Sequence, residues 1–188
     1  MPSQTEQEMH DSGQLLYMLR LEVDEIWGAT YTPTQTLRID PAQLPAVKRR
    51  LIVRSAFAAI EATAYTLKRL AIVGAMVLRL QNKETLTEEE KVLCREERYE
   101  LGGNGEVETK KAKLTFVPNL RFSFKAFAKA WDIVFVLDTN APKWKQLVNS
   151  VAVRDRLMHP KRLADLEVTD TEVREALRGF IWIEENWA

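Results

Sequence analysis

Apolar residues recur at helical spacing along most of the chain. Leu15, Met18, Leu19, Glu22, Val23 and Ile26 share one face of a helix predicted from Ser12 to Trp27, with Asp11 or Ser12 as its N-cap. The pattern breaks from Gly28 to Pro45, where Pro33, Pro41, Pro45 and several threonines disfavour a helix, so this stretch is predicted to be a connector. Ala46 to Gln81 has no proline and is apolar on nearly every side, which predicts a long central helix or two collinear ones.

After Lys83 the chain changes character. Thr87 and Glu90 form a capping box that opens a short charged helix ending before Gly102 and Gly103. The glycines, followed by Val107, Thr109, Leu114, Thr115 and Phe116, predict a short β-hairpin within about Gly105 to Val117, and Pro118 closes the excursion. These glycines are not read as a phosphate loop, because no Gly-Lys-Ser/Thr follows them. Three amphipathic helices are then predicted, at Phe122 to Val136, Trp144 to His159 and Glu172 to Trp187. A Thr169/Glu172 capping box opens the last, in which Val173, Ala176, Leu177, Phe180, Ile181 and Glu184 share a stripe and Trp182 and Trp187 add bulk for a core or a dimer surface. The expected fold class is all-α: a bundle of four or five core helices with a small inserted excursion at 83–118. Residues 1–11 are expected to be a disordered tail and 12–188 a single domain.

Composition narrows the function classes. Lys+Arg and Asp+Glu are both 27, so no global field holds a polyanion and any nucleic-acid contact must come from a local patch. Cys94 is the only cysteine, which excludes an intramolecular disulfide and a cysteine-based zinc site and fits a reducing, cytoplasmic setting. The polar start, with His10, lacks the character of a signal peptide, and the run from Leu70 to Leu78 is far short of the ~20 residues that cross a bilayer. No membrane partner is expected.

One stretch carries candidate chemistry, Val153 to Arg162, "VRDRLMHPKR". On a helix Trp144, Leu147, Val148, Val151, Asp155 and Met158 share one face, which puts Asp155 in the apolar stripe with Arg154 and His159 on its flanks. Asp155 lies one turn before His159 and can orient its ring, while Pro160 disfavours helical geometry at His159 and places it at a helix end. Arg154, Arg156, Lys161 and Arg162 make a basic spot suited to a phosphodiester. The bland alternative makes Asp155 the buried partner of an arginine, His159 a C-terminal cap and the basic residues a solvated end. Earlier in the chain, Arg54 and Glu61 stand two turns apart in a segment almost devoid of other charge, either to belong to the site or to link with one another.

The motif "RDRLMH" resembles the signature of the HEPN superfamily: an arginine, a polar residue, a short spacer and a histidine, matched here by Arg154, Asp155 and His159. Asp155 stands where Asn is the commoner residue, and the 83–118 excursion is not part of the minimal HEPN bundle. The resemblance implies a homodimeric, metal-independent endoribonuclease of toxin–antitoxin, abortive-infection or other defence systems, needing no cofactor. Its partners would be RNA and an antitoxin or defence protein. In that reading His159 is the general acid/base, Arg154 stabilises the phosphorane, Asp155 orients the histidine, and the end of the Trp144 to His159 helix lies near the two-fold axis. Arg156, Lys161 and Arg162 would meet RNA phosphates, Glu61 on an earlier helix would pair with Arg154 and fix its fork with Arg54 in support, and no metal takes part. The alternative is a non-catalytic HEPN-like dimeric module that binds a partner protein or a nucleotide; a purely structural helical protein is the third reading.

Overall fold

The computed structural model describes residues 4–27 and 40–187. Along the chain run α1 (Gln4–Trp27), a 3-10 turn (Pro41–Gln43), α2 (Ala46–Leu80), α3 (Glu88–Cys94), β1 (Glu97–Leu101), β2 (Val107–Lys111), α4 (Phe116–Ala130), α5 (Pro142–Met158), a second 3-10 turn (Leu163–Leu166) and α6 (Asp170–Trp187). The class is mostly helical, with one small antiparallel hairpin. Helix α1 begins at Gln4, inside the segment expected to be a tail, and Leu16 is buried whereas Leu15 and Met18 of the expected face are exposed. Periodicity marks a face that can be buried without naming what will cover it. Most of the predicted connector, including Pro33, lies outside the described residues.

The chain gathers into two units, residues 1–13 with 63–137 and residues 14–62 with 138–188, where a single domain with an insert was expected. Helix α2 contributes its first half to the second of these and the rest to the first.

In the 63–137 unit, Ala71 and Ala75 of α2 pack with Leu86, Cys94, Ala126 and Ala130. Burial pushes the Cys94 thiol up to about 12, so it behaves as a small apolar side chain. The Thr87/Glu90 capping box forms as expected, each side chain meeting the other's backbone N–H. The helix it opens stops at Cys94, earlier than the glycines suggested. Glu96 takes a left-handed φ of 59° and the chain turns into β1, so the first strand precedes Gly102 and the hairpin pairs Glu97 with Lys111 through Leu101 with Val107.

Helix α4 also departs from expectation, running over Phe116–Ala130 instead of 122–136. Pro118 sits in its first turn, where a missing N–H costs nothing, so the proline read as a stop lies inside a start. At the other end Asp132 takes φ 54° and the Ile133 N–H closes on the Ala128 carbonyl at 3.0 Å, ending the helix before the β-branched run Ile133, Val134, Val136.

In the other unit α5 packs along α6. The contact is close at Gly179, where a Cβ would lie 2.8 Å from Leu147 Cβ and 2.9 Å from its Cα, and Trp144 meets Trp182 with ring centres 5.5 Å apart. Trp182 therefore belongs to the core. The expected α6 stripe from Val173 to Ile181 is buried, and the Thr169/Glu172 capping box opens the helix. Arg49, not singled out from the sequence, ties this unit together. It donates to the carbonyls of Leu44, Ala42 and Val168 at 3.0, 3.1 and 3.2 Å and pairs with Asp170 at 2.6 Å.

Candidate functional site

The buried face of α5 is Trp144, Leu147, Ser150, Val153 and Leu157, rotated from the face expected. Ser150 permits this, because its hydroxyl donates to the Leu147 carbonyl at 2.8 Å and so enters the core without an unmet polar group. The rotation carries Val148 and Met158 to the surface and leaves the Asp155 side chain 57% exposed, so Asp155 is not in the apolar stripe.

The same rotation brings Arg154 to the boundary of the core, where its side chain is 25% exposed. Its guanidinium donates through Nη2 to Glu61 of α2, and through Nη1 to Asp155 Oδ1 at 2.8 Å. Partial burial works against the charge, but the Asp155 hydrogen bond, the attraction of Glu61 and its hydrogen bond outweigh it and hold Arg154 above its ordinary pKa. The Arg154–Glu61 pairing considered from the sequence is therefore present. The Glu61 side chain is itself 44% exposed.

Arg54 does not link with Glu61. Its Nη2 donates to the Leu157 carbonyl at 2.6 Å, satisfying one of the last acceptors of α5. His159 follows as the C-cap, with φ −133° and ψ 57°, and its backbone N–H donates to the Asp155 carbonyl at 3.1 Å. That non-helical geometry before Pro160 is the one expected, and it leaves His159 exposed. Asp155 does not orient the ring: its carboxylate faces Arg154, and among the described residues the His159 ring makes no hydrogen bond to it.

The basic spot is smaller than the sequence suggested. Arg156 turns toward α6, donating to the Glu167 carbonyl at 2.5 Å and to Glu172 Oε2 at 2.9 Å. Burial would raise the Glu172 carboxyl, but the Arg156 hydrogen bond and the Thr169 amide outweigh it and hold the group below its usual value. Arg156 is thereby a clasp on the capping box of α6. Lys161 and Arg162 remain exposed on the turn after α5. Asp165 clips that turn, accepting from the backbone amides of Lys161 at 2.8 Å and Arg162 at 2.9 Å and meeting the Arg162 side chain at 3.5 Å. The Lys161 amide foremost, with the Arg162 amide and side chain, lowers the Asp165 pKa against the effect of burial. Asp165 was missed in the sequence, although its place three residues after Arg162 is a local signal.

The end of α5 thus assembles a guanidinium held by two carboxylates, an exposed imidazole on the same helix terminus, and a turn with two exposed cations. A cavity of about 290 Å³, lined by Lys143, Gln146, Arg178 and Ile181, stands at the opposite end of α5 and contains none of these groups. Among the described residues no group of three or more His, Cys, Asp or Glu side chains could hold a metal ion. No helix among them is long and apolar enough to cross a membrane. The chain matches no family model, no curated protein and no solved structure.

Proposed function

We propose that the protein is a metal-independent endoribonuclease of toxin or defence type, with the HEPN-like signature at the end of α5 as its site. The observation that carries the reading is the exposed His159 imidazole at the terminus of the helix that holds Arg154 in a fixed orientation against Glu61. Such a pair supplies the two things that RNA cleavage by an internal nucleophile needs, a group that moves a proton and a group that stabilises charge on phosphorus. The 2′-oxygen attacks the neighbouring phosphorus while His159 takes the hydroxyl proton and water protonates the departing 5′-oxygen, or water takes the first proton and His159 delivers the second. The P–O5′ bond breaks, leaving a cyclic 2′,3′-phosphate and a free 5′-hydroxyl. Arg154 stabilises the phosphorane. Asp155 positions Arg154 through its carboxylate and the cap at His159 through its carbonyl, and Lys161 and Arg162 are the cations left to meet flanking phosphates. The reading keeps the homodimer and the antitoxin or defence partner that the signature implies.

Incubating single-stranded RNA with the protein in a chelator, and identifying the product ends, tests it. Cyclic phosphate ends are expected. A specific observation favours the second reading, a non-catalytic module for a partner protein or nucleotide: Arg54 and Arg156 donate to backbone carbonyls, and two carboxylates oppose Arg154. RNA left intact across a broad panel, with and without activating mixtures, replaces the nuclease by that module.

A further inference from the structure

The segment Ile133-Val134-Phe135-Val136-Leu137, between α4 and α5, is composed like a strand but forms none. From Val134 its exposure alternates with the period of two that a strand has: Val134 is 100% and Val136 80% exposed, while Phe135 and Leu137 are half-buried. Phe135 stacks on Phe124 with ring centres 5.3 Å apart and planes 13° from parallel, so one face of the segment is seated on its own unit. The chain just before it is also anchored. The Trp131 indole lies over Gly74 and donates to the Leu70 carbonyl at 3.1 Å, and Asp132 pairs with Lys83. Beyond Ile133, whose N–H bonds to Ala128, the amides of Val134, Phe135, Val136 and Leu137 make no backbone hydrogen bond among the described residues. An anchored, uncharged, β-branched segment with open backbone groups and outward valines is an unpaired strand edge, which folded proteins cover or blunt with charge.

We infer that residues 133–137 dock a second copy of this chain, the two segments pairing antiparallel about Phe135. The occupant follows from the order of residues. A two-fold contact requires a surface complementary to itself, and this segment is nearly palindromic. Phe135 falls opposite its mate, Val134 opposite Val136 and Ile133 opposite Leu137, so every cross-strand pair joins apolar groups of like size. The like-charged pair, Asp132 opposite Asp138, falls beyond the five apolar positions, and Lys83 neutralises Asp132. A foreign apolar peptide would meet the same edge, but only the segment itself supplies this symmetric match. Such a short ribbon lies well below the ~1,000 Å² of a stable interface, so the association is weak and reversible. The contact is distinct from the two-fold at α5 that the nuclease reading keeps and does not need it, since no residue of 154–159 is used; where the α5 dimer forms, this contact joins such dimers.

Sedimentation equilibrium of the full chain, from low to several hundred micromolar, tests this together with amide exchange at 134–137. Wild type is expected to associate reversibly in pairs of its smallest species as concentration rises, with exchange at 134–137 slowing as the pairing forms. Val134→Glu and Val136→Lys, both at exposed positions, should keep the helical circular dichroism and melting temperature and each weaken dimerisation by at least ~10-fold. Mixing the two variants should restore a heterodimer, because the antiparallel register sets the carboxylate introduced in one chain against the ammonium introduced in the other. A wild type whose amides at 134–137 exchange no slower as concentration rises overturns the inference. So does a slowing of that exchange that neither substitution removes, or a mixture of the two variants that does not restore it. RNA cleavage is read separately, and its failure leaves this result untouched.

Discussion

Lys68 and Arg154 are both cations held by a carboxylate, one in each unit, and they differ in what surrounds them. Lys68 of α2 is 0% exposed and donates to Glu96 at 2.7 Å and Asn119 at 2.8 Å, joining α2 to the base of the hairpin and to the first turn of α4. The pairing also explains why Glu96 holds a left-handed backbone that L residues disfavour. Arg154 is met by two carboxylates, but each of its partners reaches solvent and the exposed His159 follows it on the helix end. A buried cation with its acceptors around it commits its hydrogen bonds to the fold. A partly exposed cation on the same helix end as an open imidazole has its orientation set while its surroundings stay accessible, which is what a site requires. Burial, rather than ion pairing itself, separates the two.

The comparison is open to attack by substitution, and the largest effect is expected at Arg154. Arg154→Ala should lower RNA cleavage by about 10²–10³, the usual loss on removing a charge stabiliser, while moving stability by no more than ~1 kcal/mol because its ion pairs are solvent-accessible. Lys68→Met should do the reverse. Leaving Glu96 without its cation costs about 3 kcal/mol in urea unfolding, and the cleavage rate of the folded protein stays at the wild-type value. If Lys68→Met were neutral for stability, the buried node would not be structural and the contrast would fail.

Smaller effects sharpen the picture around Arg154. The Glu172 carboxyl is held below its usual value, so its contribution to stability is present above the ordinary carboxylate pKa and is lost as pH falls through the folded value. Glu172→Gln should therefore lower the melting temperature at neutral pH, by an amount worth under about 1 kcal/mol given solvent screening, and the difference from wild type should vanish in acid. Asp155→Asn should have the least effect, within a few-fold in cleavage, because an amide oxygen still accepts from Arg154 and the backbone carbonyl still holds the cap at His159. A large loss would show that the negative charge itself is needed.

What could be read from the sequence was mostly what local chemistry dictates. The capping boxes at Thr87/Glu90 and Thr169/Glu172 need only neighbouring residues, and both formed. His159 at a helix end followed from Pro160 alone. Glu61 could be matched to Arg154 through the HEPN resemblance, which sets a polar or acidic residue of an earlier helix against the signature. Misreadings came where a residue type has two uses. Pro118 begins a helix as readily as it ends one, and Ser150 enters a core when its hydroxyl turns back to its own helix. The rotation of α5 that follows from Ser150 moved Asp155 out of the core and away from the role assigned to it. The fates of Arg54 and Arg156 were not legible, because their acceptors are the carbonyls of Leu157 and Glu167, and a backbone carbonyl in a tertiary contact leaves no mark in the sequence.

The most direct test of the central claim is the single-turnover cleavage rate of His159→Ala against wild type, on the same RNA in a chelator, at a temperature where both are fully folded by circular dichroism. The account predicts cyclic-phosphate ends from wild type and a rate at least ~10²-fold lower for the variant, as expected for a lost proton-transfer group. A variant that cuts as fast as wild type would contradict it, as would a wild type that leaves the RNA whole.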